Sequence, residues 1–162
     1  MDRPAIICLC GSTRFSEAFH EANLRETLAG KIVLSIGCDF KSDRDLELAG
    51  QLTDADKKRL DRLHHRKIDL ADEVLFLNVG GYMGQSTLVE HFYASNTGKI
   101  IRYLETPPSP NFCYEQAHDI GMAWLREQQE QGRYVHRLRL VNRRAWFPDD
   151  DSGWVESEAC DG

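Results

Sequence analysis

Glu73-Val74-Leu75-Phe76-Leu77-Asn78-Val79-Gly80-Gly81-Tyr82-Met83-Gly84-Gln85-Ser86-Thr87-Leu88-Val89-Glu90 reads as a strand, a glycine-rich turn and the opening of a helix. The strand is predicted over Glu73–Asn78 and the helix over Ser86–Thr97, with Gly98 placed to end it. A helix N-terminus behind a glycine-rich turn offers backbone N–H groups to an anion. Glu90 falls in the first turn of that helix. An acidic group beside such a loop points to chemistry on a nucleotide or a sugar phosphate.

The flanking sequence repeats the alternation. Ala5–Cys10 (AIICLC) is a continuous apolar run, as expected of a strand covered on both faces of a parallel sheet. Gly11-Ser12-Thr13-Arg14 breaks it, and Phe15–Leu28 is predicted helical, with Phe15, Phe19 (or Ala18), Ala22 and Leu28 along one side. A second strand is expected over Lys31–Gly37 and a polar loop over residues 38–53, lying across the site. Asp54–Ala71 reads as a charged helix whose buried side is marked by Leu60, Leu63 and Leu70. Lys99–Leu104 is a fourth strand and Phe112–Gln131 a further helix; Tyr134–Val141 is a strand or a helix extension. The expected fold is therefore α/β: a single Rossmann/flavodoxin-like domain with a parallel sheet of four or five strands flanked by helices. It is expected to occupy residues 1–145, with 146–162 an acidic, flexible tail. Ligands of such sheets sit at the carboxyl ends of the strands, where the Gly11–Arg14 and Asn78–Glu90 segments would both lie.

Composition narrows the function. The 162 residues are 41% hydrophobic, enough for one well-buried core. A net charge of −6 argues against a broad electrostatic grip on nucleic acid but leaves room for a small anion. With no run of 18 apolar residues and no signal-peptide pattern, a soluble, cytoplasmic protein without a membrane partner is expected. The cysteines at 8, 10, 38, 113 and 160 are scattered, and no pair has metal-ligand spacing with a matching second pair. They read as buried thiols, with Cys8 and Cys10 on one face of their strand, and no metal is expected.

Taken together, Cys10–Phe15 (CGSTRF), the Leu63–Val74 segment (LHxxKIDLADEV), Gly80–Ala94 (GGYMGQSTLVEHFYA) and Gly98–Leu104 (GKIIRYL) resemble the nucleoside 2-deoxyribosyltransferase-like superfamily. The similarity covers roughly residues 5–105. The superfamily includes transferases that exchange nucleobases and hydrolases that cleave nucleoside 5'-monophosphates. The resemblance implies that Glu90 is the nucleophile that attacks the anomeric carbon and carries the sugar covalently. It further implies that Gly11, Ser12 and Arg14 line the sugar or phosphate pocket, that no organic cofactor is needed, and that sites are completed in a homo-oligomer. Two positions depart from the transferase pattern. An aspartate six residues before the nucleophile is replaced by Gly84, and a second, in the helix before the third strand, stands roughly where this chain has His64. GGYMGQSTLVE is also similar to the PGGxGTxxE loop of nucleotide-specific phosphoribohydrolases of the lysine-decarboxylase-like type, which cleave the same class of bond.

Each candidate has a structural alternative. Thr87-x-x-Glu90 fits a capping box, in which Glu90 would only bond back to the Thr87 N–H. Gly80, Gly81 and Gly84 are turn glycines or part of an anion cradle, and Ser12, Thr13, Ser86 and Thr87 are caps or phosphate ligands. Arg14 is a surface arginine or a fork for phosphate. Asn78 bonds a sugar hydroxyl or the loop amides; Tyr82 stacks on a base or lies exposed. His64 belongs either to a solvated basic helix face or to the site, where it would protonate the departing base. The expected function is cleavage or transfer at the N-glycosidic bond of a (deoxy)nucleoside or its 5'-monophosphate. The alternative is a non-catalytic nucleotide-sensing module that uses the same cleft.

Overall fold

The computed structural model describes residues 3–36, 53–109 and 111–131. The loop expected over 38–53 (Thr53 apart), the Tyr134–Val141 segment, the end of the domain at 145, the acidic tail, Cys38 and Cys160 lie outside the described residues.

Strands and helices alternate: β1 (Ile6–Cys10), α1 (Ser16–Leu28), β2 (Ile32–Leu34), α2 (Asp54–Leu70), β3 (Glu73–Phe76), α3 (Gln85–Asn96), β4 (Ile100–Tyr103) and α4 (Phe112–Glu130). Among the described residues the sheet has four strands in the order β2-β1-β3-β4, and every neighbouring pair is parallel. This is a single α/β domain of the Rossmann/flavodoxin-like type. β1 and β3 lie side by side, while the chain leaves β1 towards β2 and leaves β3 towards β4. Their carboxyl ends therefore flank the topological switch point, where ligands of open α/β sheets bind.

Strand alternation divides the core into two layers. Ile7, Leu9, Leu75 and Leu77 pack against Phe19 and Ala22 of α1. Cys8, Cys10, Val74 and Phe76 face the other way, onto Ile68 of α2 and Tyr93 and Ala94 of α3. α4 then covers α3 through Leu88, Phe92 and Ala117. Each large apolar side chain buried here contributes about 1.5–3 kcal/mol. α2 begins with a capping box: the Asp56 N–H donates to Thr53 Oγ1 at 3.2 Å, and the Thr53 N–H donates to the Asp56 carboxylate at 3.0 Å. Among the described residues no helix is long and apolar enough to cross a membrane.

Two sequence expectations about helix faces are overturned. On α2, Leu63 and Leu70 are 54% and 66% exposed, and His64, His65 and Ile68 turn inward instead. On α1, Leu28 is 79% exposed, because the buried face runs through Phe19, Ala22 and Glu26, and two residues beyond Glu26 is the opposite side of the helix.

Candidate active site

The β1 pleat sends the side chains of Cys8 and Cys10 to the face shared by α2 and α3. The inward side of α2 brings His64 onto both sulfurs: its Nε2 stands 3.2 Å from Cys10 Sγ and 3.8 Å from Cys8 Sγ. Glu90, from α3, completes the group with Oε1 3.8 Å from the same His64 nitrogen. Its other oxygen, Oε2, is buried without a hydrogen-bond partner among the described residues. Four polar side chains from three elements thus meet under the carboxyl end of the sheet.

Their electrostatics follow from burial. Desolvation pushes the Glu90 carboxyl up to about 7, against the pull of His64. Burial alone would lower His64, but the Glu90 carboxylate and the Cys8 thiol outweigh it and raise the imidazole above its ordinary value. Of the thiols, Cys8 is drawn down to about 6 by the Cys10 hydrogen bond and by His64, against its own burial. Cys10 is pushed well up, by burial first. His65, stacked on Tyr93 at 4.6 Å and held by burial down to about 4, is a neutral packing residue.

The capping-box reading of Glu90 does not hold. α3 starts at Gln85 behind Gly84, so Glu90 lies in the second turn, and Thr87 is buried. The charge-stabilising influence of the helix terminus, which fades beyond the first turn, gives way to desolvation at this depth.

The glycine-rich loop is a single 3-10 turn over Val79–Gly81. Gly80 and Gly81 adopt φ of 61° and 75°, a left-handed backbone that a side chain would strain. Asn78 is a structural residue: its amide nitrogen donates to the Glu105 carbonyl at 2.8 Å, and its oxygen accepts from the Glu105 N–H at 2.9 Å. The Gly80 N–H, one of the amides expected to face an anion, instead donates to the Glu105 carboxylate at 3.0 Å. Gly11, just after β1, packs tightly against Leu77, just after β3: a Cβ there would lie 3.0 Å from Leu77 Cβ.

Tyr82 joins the two loops at the switch point. The Arg14 guanidinium lies 4.5 Å over its ring, and Phe15 meets the ring edge-on at 6.0 Å. Ser12 stabilises its own turn: its hydroxyl accepts from the Arg14 N–H at 3.4 Å and its carbonyl from the Phe15 N–H at 3.0 Å. Thr13 is half-buried, and Gly84 sits under the Tyr82 hydroxyl, which a Cβ would approach to 3.2 Å.

Glu90 and Ser86 also line a cavity of about 480 Å³ between α2, α3 and α4, with Asp61, His65, Asp119 and Trp124 in its walls. Burial raises the Asp61 carboxyl. Reading the sequence missed Asp61 and Trp124, and it left Cys8 and Cys10 out of the site. Asp61 lies one turn before His64 on the same helix, a spacing that would have suggested it. No protein-family model, curated protein or solved structure matches the chain.

Proposed function

We propose that the protein cleaves or transfers at the N-glycosidic bond of a (deoxy)nucleoside or its 5'-monophosphate, with Glu90 as the nucleophile. One observation carries this reading: a buried carboxyl with an unpartnered oxygen, beside a histidine at 3.8 Å, in the wall of a 480 Å³ cavity. That volume lies in the range of about 300–1,000 Å³ usual for small-molecule sites. A carboxyl with a pKa of about 7 is partly ionised at neutral pH, and the desolvated anion is a better nucleophile than a solvated one.

In this reading the Glu90 carboxylate attacks C1' as the bond to the base breaks, and an oxocarbenium-like charge develops beside it. His64, kept protonated by its neighbours, delivers a proton to the departing base. Water or a second base then takes the sugar from Glu90, making the enzyme a hydrolase or a transferase. Ser86 lines the same cavity as Glu90, whereas Arg14, Ser12, Thr13 and the Gly80–Gly84 loop do not, and would hold the sugar and a 5'-phosphate from the switch-point loops. The Arg14 guanidinium, packed on the Tyr82 ring, can still offer the N–H groups at its edge to a phosphate, so the stack would orient the arginine.

The test is chromatographic detection of free base from a panel of nucleosides and 5'-monophosphates, with and without an acceptor base. Release from one class that Glu90→Ala abolishes is the expected result; a new nucleoside in the acceptor arm would name a transferase. A folded protein that releases no base, yet melts higher with one of these ligands, would replace this reading with the sensing module.

A further inference from the structure

We propose that Cys8, Cys10, His64 and Glu90 form a binding site for one thiophilic divalent ion, zinc by preference. The first three place one ligand atom each within 4.8 Å of one another, all buried. A tetrahedral zinc, with Zn–S of ~2.3 Å and Zn–N of ~2.0–2.1 Å, holds its sulfur and nitrogen ligands about 3.6 Å apart. His64 Nε2 lies 3.2 Å and 3.8 Å from the two sulfurs, which brackets that separation. Glu90 lies outside this converging group of three, but its Oε1, 3.8 Å from the same nitrogen, would close on the ion as a fourth ligand and make the set two thiolates, one imidazole and one carboxylate.

Ordinary packing does not account for this set. Two thiols alone would be small core residues, but here an imidazole and a carboxyl share their pocket, and Glu90 Oε2 is buried unpartnered. The ligand types select for zinc or cobalt(II) over magnesium or calcium, which prefer oxygen. On binding, the protons of the two thiols, and those carried by His64 Nε2 and the Glu90 carboxyl, pass to solvent, and no electron is transferred. Entry is through the cavity that Glu90 lines. The site shares Glu90 and His64 with the proposed glycosidic chemistry, and one consequence rests on that reading: an ion held there withholds both the nucleophile and the acid, so zinc would be a reversible inhibitor.

The experiment uses the full chain with Cys38, Cys113 and Cys160 changed to serine, leaving Cys8 and Cys10 as its only thiols. Cobalt(II) is titrated in under reducing conditions, followed by zinc. One equivalent should produce thiolate-to-cobalt charge transfer and the visible bands of a tetrahedral ion, both displaced by zinc. Cys10→Ser and His64→Gln should each lower the affinity by more than the roughly 10–100-fold that an outer-shell change costs. Glu90→Gln should keep the charge-transfer band and shift the visible bands. If Cys10→Ser fails to fold, Cys8→Ser serves in its place. The idea fails if the folded protein shows no thiolate band at stoichiometric cobalt, or if Cys10→Ser and Cys8→Ser each leave both the band and the cobalt affinity unchanged. These readouts are spectroscopic, so a metal site with no glycosidic activity, and activity with no metal site, are separate results.

Discussion

Glu90 and His64 illustrate how burial decides chemistry at a single residue. A carboxyl taken out of water resists ionising, whereas a histidine beside it resists losing its proton. Cys8, Cys10 and Asp61 face the same carboxyl, and the net result is a Glu90 pKa of about 7. In chelator, kcat/KM for base release should therefore climb as pH rises through about 7. It should fall again as His64 loses its proton, and His64→Gln should remove that falling limb and lower the maximum by roughly 10²–10⁴-fold. A flat profile through neutral pH would exclude Glu90 as the titrating nucleophile. Stability carries the opposite sign. A carboxyl whose pKa is raised on folding stabilises the fold below its unfolded value and costs it stability as pH rises through 7. Glu90→Gln should accordingly gain on the order of 2–3 kcal/mol over the parent at pH 8 and little at pH 4, read from urea midpoints.

At the scale of elements, the site depends on how tightly α4 clamps α3. The two helices cross at Gly121, where an added methyl would overlap the Phe92 ring itself. Gly121→Ala should cost about 1–3 kcal/mol, or more if the crossing cannot open, and the melting temperature measures it. An unchanged melting temperature would mean that the crossing is loose. The strands and helices themselves were legible in the sequence, because continuous apolar runs such as Ala5–Cys10 and glycine stops leave few alternatives; the observed ends fall within a residue or two of most of the expected ones. The face of α2 was not. Its leucines at 63 and 70 point outward, whereas His64 and His65 face partners from other elements: two thiols, a carboxylate and the rings of Tyr93 and Trp124. Hydrophobicity along one helix cannot reveal that, because the partners that make a histidine worth burying are more than 20 residues away in sequence. The cysteine–histidine cluster escaped for the same reason: 54 residues separate Cys10 from His64, far outside any short ligand spacing. Asn78 and Glu105 paired across the ends of β3 and β4, which no local pattern encodes.

Across the whole molecule, the sheet separates stability from chemistry. The thiols, His64 and Glu90 lie on the α2 and α3 face; an ion network lies on the other, where Arg102 stands opposite Leu75 in the register. There the buried Glu26 of α1 accepts from the Arg102 guanidinium at 2.9 Å and 3.1 Å and pairs with Lys31 at 3.0 Å. Arg25 approaches Glu26 at 3.3 Å, and Glu73 bridges Lys31 and Arg102, so α1, β3 and β4 are tied to the residue that leads into β2. Arg102 first, and Lys31 after it, hold the Glu26 carboxyl down to about 2 despite its burial. Because this pKa is lowered on folding, the stabilisation is complete above the unfolded value and disappears as pH falls towards 2. The shift corresponds to about 3 kcal/mol at most, and the partial exposure of Arg102 argues for less. Glu26→Gln should thus lower stability by about 1–3 kcal/mol at pH 7, and the gap to the parent should narrow steadily between about pH 4.5 and 2. Base release per folded molecule should be unaffected, since the sheet lies between this network and Glu90. A variant that lost activity while keeping its urea midpoint would show that the two faces are coupled and that the sheet is not the barrier its packing suggests.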